Sequence, residues 1–128
     1  MLKKIAYVSV FVSDQQQALD FYTNVLGLEK RIDSATADGL RFLTVGVSGQ
    51  DFELVIWPGT PGKGRPALGS PAAQYTIDTD DCRRKFATLK SHGVTFEPPH
   101  VIEQPWGLIA RFHDPDGNML QFRELRMA

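Results

Sequence analysis

Cysteine is almost missing from this chain: of 128 residues only Cys82 carries a thiol. An intrachain disulfide is therefore excluded, and the composition suits a reducing cytoplasm. An excess of one charge is missing too. Lys and Arg number 14 and Asp and Glu 15, a net charge of −1. No basic run exists to neutralise a row of phosphates, which excludes nucleic acid as an expected partner. Long hydrophobic runs are also lacking. None approaches the ~20 residues needed to cross a bilayer, so no membrane partner is expected. Lys3 and Lys4 before Ile5–Val12 imitate a signal peptide. That run is short, is broken by Ser9 and enters Ser13-Asp14 without a small-residue cleavage pattern, so it reads as a strand. What is present is the make-up of one globular domain over 1–128, with 42% hydrophobic and 23% charged residues. Such a chain buries a core without a disulfide or a structural metal.

Residues 5–12 alternate, with Ala6, Val8, Val10 and Val12 on one face and Ile5, Tyr7, Ser9 and Phe11 on the other. Ser13-Asp14 starts a helix, with Gln17 three residues after Asp14 as in a capping box. Ala18, Phe21, Tyr22, Val25 and Leu26 form its apolar stripe, and Gly27 stops it. Strands are predicted at Leu28–Asp33, Leu40–Val47 and Phe52–Trp57, with a turn at Ser48–Asp51 between the last two. The Gly- and Pro-rich stretch 58–71 has no apolar period and reads as a linker or flap. Its Gly59–Gly64 spacing imitates a P-loop, but Arg65-Pro66 stand where Lys and Ser or Thr are required.

The same order then returns. Gln74–Asp78 alternates as a strand, Thr79-Asp80 starts a helix carrying Cys82, Phe86 and Leu89, and Gly93 stops it. Val94–Glu97 is extended. Leu108–His113 and Asn118–Arg123 flank Asp114-Pro-Asp-Gly117, a strong turn signal. Gly27 and Gly93 stand 66 residues apart, as do Asp14 and Asp80. The chain thus reads as an α+β fold of paired βαβββ modules, about 1–57 and 72–128, joined by 58–71. One helix per module covers one sheet face, and the uncovered face points to ligand binding or association.

Ile5-Ala-Tyr-Val-Ser-Val-Phe-Val-Ser-Asp14, Ala18–Tyr22 and Val25-Leu-Gly-Leu28 resemble the first strand and helix of the vicinal oxygen chelate superfamily. Pro105-Trp-Gly107 and Phe112-His-Asp-Pro-Asp-Gly-Asn118 resemble its last hairpin. The superfamily includes glyoxalase I, bleomycin-resistance proteins, fosfomycin-resistance enzymes and extradiol dioxygenases. The resemblance spans essentially the whole chain. It implies paired βαβββ modules in a cupped sheet and, in short members, homodimers with two equivalent clefts. Metal-dependent members carry His, Glu or Gln ligands at four positions, which fall here on Tyr7, Glu53, Gln74 and Gln121.

That set departs from the metal-dependent pattern. Nickel, zinc and iron(II) favour imidazole and carboxylate, whereas here one carboxylate stands with two neutral amides and a phenol. His92, His100 and His113 lie outside the four positions. No metal and no cofactor is therefore expected, with a divalent nickel, zinc or iron as the alternative.

Glu53 shares its strand face with Trp57. It reads either as a desolvated general base or as a carboxylate held in a network with Tyr7, Gln74 or Gln121. Trp57, Trp106, Phe11 and Phe42 read as an aromatic wall or as core. Parity groups Ile5, Tyr7, Ser9, Thr44, Glu53, Trp57, Gln74, Met119 and Gln121 on ligand-facing surfaces expected to converge. Arg123 shares that parity and can meet an anionic substituent. The opposite parity, with Val8, Val10, Leu43, Val45, Leu54, Ile56, Tyr75, Ile77, Leu120 and Phe122, is expected to pack the helices. The expected function is that of a cytoplasmic homodimer binding a small organic molecule. The alternatives are a metal-dependent lyase or isomerase like glyoxalase I, and a metal-free enzyme using Glu53.

Overall fold

In the computed structural model, which describes residues 1–59 and 74–126, the chain divides into two compact units, one ending at Pro71 and the other beginning at Ala72. Most of the expected linker, with its P-loop-like spacing, lies outside the described residues.

The first unit runs β1 (Tyr7–Val12), α1 (Gln15–Asp20), β2 (Glu29–Ala35), β3 (Arg41–Gly46) and β4 (Glu53–Pro58). Its strands form a four-stranded sheet in the order β1-β4-β3-β2, with β1 parallel to β4 and the other pairs antiparallel. Asp14 caps α1, its side chain accepting from the Gln17 N–H at 3.0 Å. The helix is pinned to the sheet by Gln15, whose Nε2 donates to the carbonyls of Ile56 at 2.8 Å and Arg41 at 3.0 Å. Past Asp20 the coil widens over Phe21–Val25, so that the Leu26 N–H donates to the Phe21 carbonyl at 2.9 Å. Gly27 then ends it with a φ of 95°. Val10, Val12, Tyr22, Leu43, Val45 and Ile56 are fully buried. Each large apolar side chain so placed contributes roughly 1.5–3 kcal/mol over remaining exposed. Val8 departs from its expected helix-packing role: it is 40% exposed on the edge strand β1.

The second unit repeats the connectivity with β5 (Gln74–Asp78), α2 (Cys82–Ser91), β6 (Ile102–Gln104), β7 (Gly107–His113) and β8 (Met119–Leu125), in the order β5-β8-β7-β6. Two expectations need correction. The cap of α2 is Asp81, which accepts from the Arg84 N–H at 3.1 Å, so the capping residues stand 67 apart and Asp80 is not the equivalent of Asp14. Val94–Glu97 supplies only an isolated bridge, Phe96 to Phe112. The third sheet element is instead Ile102–Gln104, folded onto β7 across the two-residue turn Pro105-Trp106. Phe96 is better used as core: Phe86, Phe96, Phe112 and Phe122 make successive ring contacts with centroids 4.5, 5.3 and 5.1 Å apart. Asp114 closes the β7–β8 turn by accepting from the N–H groups of Asp116 and Asn118, at 2.9 and 2.8 Å, and from Asn118 Nδ2. Among the described residues no helix is long and apolar enough to cross a membrane.

Candidate functional site

In each unit the helix occupies one sheet face and leaves the other to the chemistry-bearing residues. In the first unit the parallel register aligns Tyr7 with Glu53, Ser9 with Val55 and Phe11 with Trp57. Phe42 stands between two further rings. Its centroid is 5.4 Å from Trp57 and 5.8 Å from Tyr7, both edge-on. Tyr7 is 46% exposed and Ser9 is exposed. The result is an accessible row of rings, with Glu53 at its Tyr7 end.

Arg31, which parity does not find, is the dominant neighbour of Glu53. The ladder between β2 and β3 slips between Lys30 and Asp33, so Arg31 lies in a bulge where simple alternation fails. Its guanidinium packs over Gly46, where a Cβ would come within 3.0 Å of Cζ. Nη2 donates to the carbonyls of Val47 at 2.7 Å and Gln50 at 2.9 Å. Nη1 lies 3.8 Å from Glu53 Oε2, and Nε lies 2.6 Å from Glu29 Oε1 but out of line for a hydrogen bond. Glu53 Oε1 is buried with no hydrogen-bond donor among the described residues. The Glu53 charge is thus met by a nearby cation within its own unit. Thr44 is fully buried, and its hydroxyl accepts from the Ile32 N–H at 3.0 Å. It holds the bulge and has no surface to offer a ligand.

In the second unit the register aligns Thr76, Gln121 and Arg111 in one row, and Asp78, Arg123 and Ile109 in the next. Gln121 Nε2 donates to Thr76 Oγ1 at 2.9 Å, and Gln121 Oε1 faces Arg111 Nη2 at 3.5 Å. Arg123 is held in a fork by Asp78, with Nε to Oδ1 at 2.7 Å and Nη2 to Oδ2 at 3.0 Å. That pairing lowers the Asp78 carboxyl below its ordinary range and raises the Arg123 guanidinium. The expected anion-binding role of Arg123 is therefore met within the chain by Asp78. Met119 lines the same pocket as Gln121, and Gln74 is its backbone neighbour on β5. Trp106 is 44% exposed at the tip of the β6–β7 turn, next to Gly107, which is paired with Leu125. Four residues of β7 separate that end of the strand from Arg111, roughly 13 Å. Ile5, 73% exposed, precedes β1.

Two of the family metal positions, Glu53 and Gln121, face guanidinium groups. Glu53 already faces a guanidinium, which repels a dication. The Gln121 oxygen also faces a guanidinium, and its nitrogen is spent on Thr76. The histidines are exposed, with His92 closing α2 and His113 Nδ1 3.9 Å from Glu97. Among the described residues no three His, Cys, Asp or Glu side chains cluster as ligands. The described donors of that set, a phenol, a carboxylate facing a guanidinium and an engaged amide, do not fit a transition metal. Cys82, the first residue of α2, is fully buried, and burial, reinforced by the Glu124 carboxylate, pushes its thiol pKa up. It is a core residue.

Comparison with known proteins agrees with this architecture. The Bacillus subtilis (strain 168) protein YetH is 31% identical over 125 residues, covering 97% of this chain and all of YetH. TnmS3, an antibiotic binding protein from Streptomyces sp. CB03234, has a crystal structure that superposes with a TM-score of 0.82. It is 32% identical and covers 98% of each chain. A superfamily member from Sphaerobacter thermophilus DSM 20745 superposes with a TM-score of 0.83 at 32% identity, over 96% of this chain and 98% of its own. Residues 4–122 match the family description itself, and the chain belongs to the Glyoxalase/Bleomycin resistance protein/Dioxygenase superfamily.

Proposed function

We propose that this protein is a cytoplasmic homodimer that sequesters a planar, partly aromatic organic molecule without a transition metal. The observation that carries the reading is the accessible ring row Tyr7–Phe42–Trp57, on a sheet face with no helix over it. Rings on an accessible surface suit contact with a flat ligand, and apolar walls with a few polar groups are the usual make-up of a small-molecule site. A donor set in which guanidinium groups face Glu53 and Gln121 supports binding without a metal. TnmS3, at 32% identity, is an antibiotic binding protein, and the same kind of task is proposed here. Dimerisation is supported by the edge strand β1, which leaves Tyr7 and Val8 exposed.

The test is titration with the neutral planar fluorophore N-phenyl-1-naphthylamine. Micromolar binding with quenching of Trp57, weakened about tenfold by Phe42→Ala, supports sequestration. Absence of binding removes it. Elemental analysis of the purified protein checks the metal. About one nickel, zinc or iron per chain, lost on Glu53→Gln, would replace this reading with a glyoxalase-type lyase. Light scattering should give twice 14.3 kDa.

A further inference from the structure

We infer that Arg111, with Gln121 and Thr76 beside it, is a recognition point for a carboxylate on an organic ligand. The inference rests on the reading of this chain as a small-molecule binder, and adds the ligand's charge. Arg111 lies half-buried on the helix-free face of the second unit, opposite Gln121 in the β7–β8 ladder. It lines a pocket of about 370 Å³ with Tyr75, Thr76, Met119, Leu120 and Gln121. That volume falls in the range of small-molecule sites.

Three features point to an anion. First, the Arg111 charge has no carboxylate partner among the described residues. Among those residues its one side-chain hydrogen bond, to Gln121 Oε1, is 3.5 Å long, at the outer limit of such contacts, and its Nε is buried without an acceptor. A guanidinium offers five N–H donors in a planar fork, so most of this capacity is open. Second, the neighbouring row shows what an arginine on this face takes when one is supplied. Arg123 binds both oxygens of Asp78, whereas the β5 residue in Arg111's own row is Thr76. Third, the flanking groups are arranged as donors. Gln121 gives its N–H to Thr76 Oγ1, so the Thr76 hydroxyl, accepting there, keeps its own hydrogen for a further partner. A ligand carboxylate received by the Arg111 fork would take two parallel charge-assisted bonds, with apolar contact from Met119.

The experiment uses naphthalene-2-carboxylate and its neutral counterpart naphthalene-2-carboxamide. Each is titrated into the full-length protein while the Arg111 Nε–H resonance and tryptophan emission are followed. The carboxylate should bind at least tenfold more tightly than the amide, shift the Arg111 resonance and weaken with added salt. Arg111→Gln should abolish the preference without weakening the amide. Arg111→Lys, which keeps the charge and loses the fork, should keep about a third of the preference. If Arg111→Gln does not fold by circular dichroism, the lysine variant and the salt dependence decide. Equal binding of the two probes to the unaltered protein overturns the inference and leaves the small-molecule reading intact. So does an undiminished preference in Arg111→Gln. If neither probe binds, the inference falls, and the N-phenyl-1-naphthylamine titration separately judges the broader reading.

Discussion

Replacing Arg31 by methionine tests the most consequential contact around the candidate base. The substitution keeps a long apolar stem and removes the guanidinium. It deletes two hydrogen bonds, to the carbonyls of Val47 and Gln50 at 2.7 and 2.9 Å. Both lie in an exposed turn where water can take over, so each is worth about 0.5–1 kcal/mol. It also strands the Glu53 carboxylate. Arg31 and Glu53 are 19% and 18% exposed in their side chains and 3.8 Å apart. At an effective dielectric of about 20 the gross attraction is about 4 kcal/mol. Desolvation offsets much of that, and a net of about 1–2 kcal/mol remains. The variant should lose about 3 kcal/mol in urea denaturation, or roughly 10 °C in Tm for a chain of this size. Glu53→Gln alone should cost about 1 kcal/mol, because Arg31 keeps Glu29 at 2.6 Å. Combining the two should cost less than their sum by about 1–2 kcal/mol, since no half-buried charge is stranded at position 53 and Glu29, which loses Arg31, is 48% exposed to water. A coupling below about 0.3 kcal/mol would refute the argument and return Glu53 to the role of an independent carboxylate.

Other expectations follow from single contacts. Asp33, held at about 2 against an ordinary 3.8 by the bidentate Arg41, should titrate by NMR near that value. Because its folded pKa is depressed, its stabilisation of about 1 kcal/mol is complete above about pH 5 and is lost as the pH falls through 2, so Asp33→Asn should cost stability at pH 7 and almost nothing by about pH 1. Gly107→Ala should cost about 3 kcal/mol in thermal denaturation, because a Cβ there would lie 2.0 Å from the Glu124 carbonyl oxygen, while Gly49→Ala, with open space and a φ of 84°, should cost about 1 kcal/mol. Equal losses would contradict the close approach. Cys82 should react with Ellman's reagent only as fast as the protein unfolds, since the thiol is buried and its pKa raised. Rapid labelling of the native chain would place it elsewhere.

The local grammar of the chain was legible because it depends on near neighbours. Alternation of period two separated Tyr7, Glu53 and Gln121 from the buried Val10, Ile56 and Phe122. Asp14, Gly27 and Gly93 marked helix ends through caps and positive φ. The turn at Asp114–Gly117 even contained the position of Arg111, since closing it pairs His113 with Met119 and therefore Arg111 with Gln121. What lay beyond the sequence was every feature set by a partner far along the chain. The bulge that carries Arg31 over Gly46 breaks the alternation on which parity reasoning depends, and Thr44 is buried because Ile32 needs an acceptor there. Val94–Glu97 looks like a strand, yet it makes only an isolated bridge while Phe96 stacks with Phe86 and Phe112, and Ile102–Gln104 takes the edge. Arg111 and Arg123 are the same residue on the same sheet face. Only the cross-strand register, which gives Asp78 to one and Thr76 to the other's row, decides which of the two guanidinium groups meets a carboxylate among the described residues.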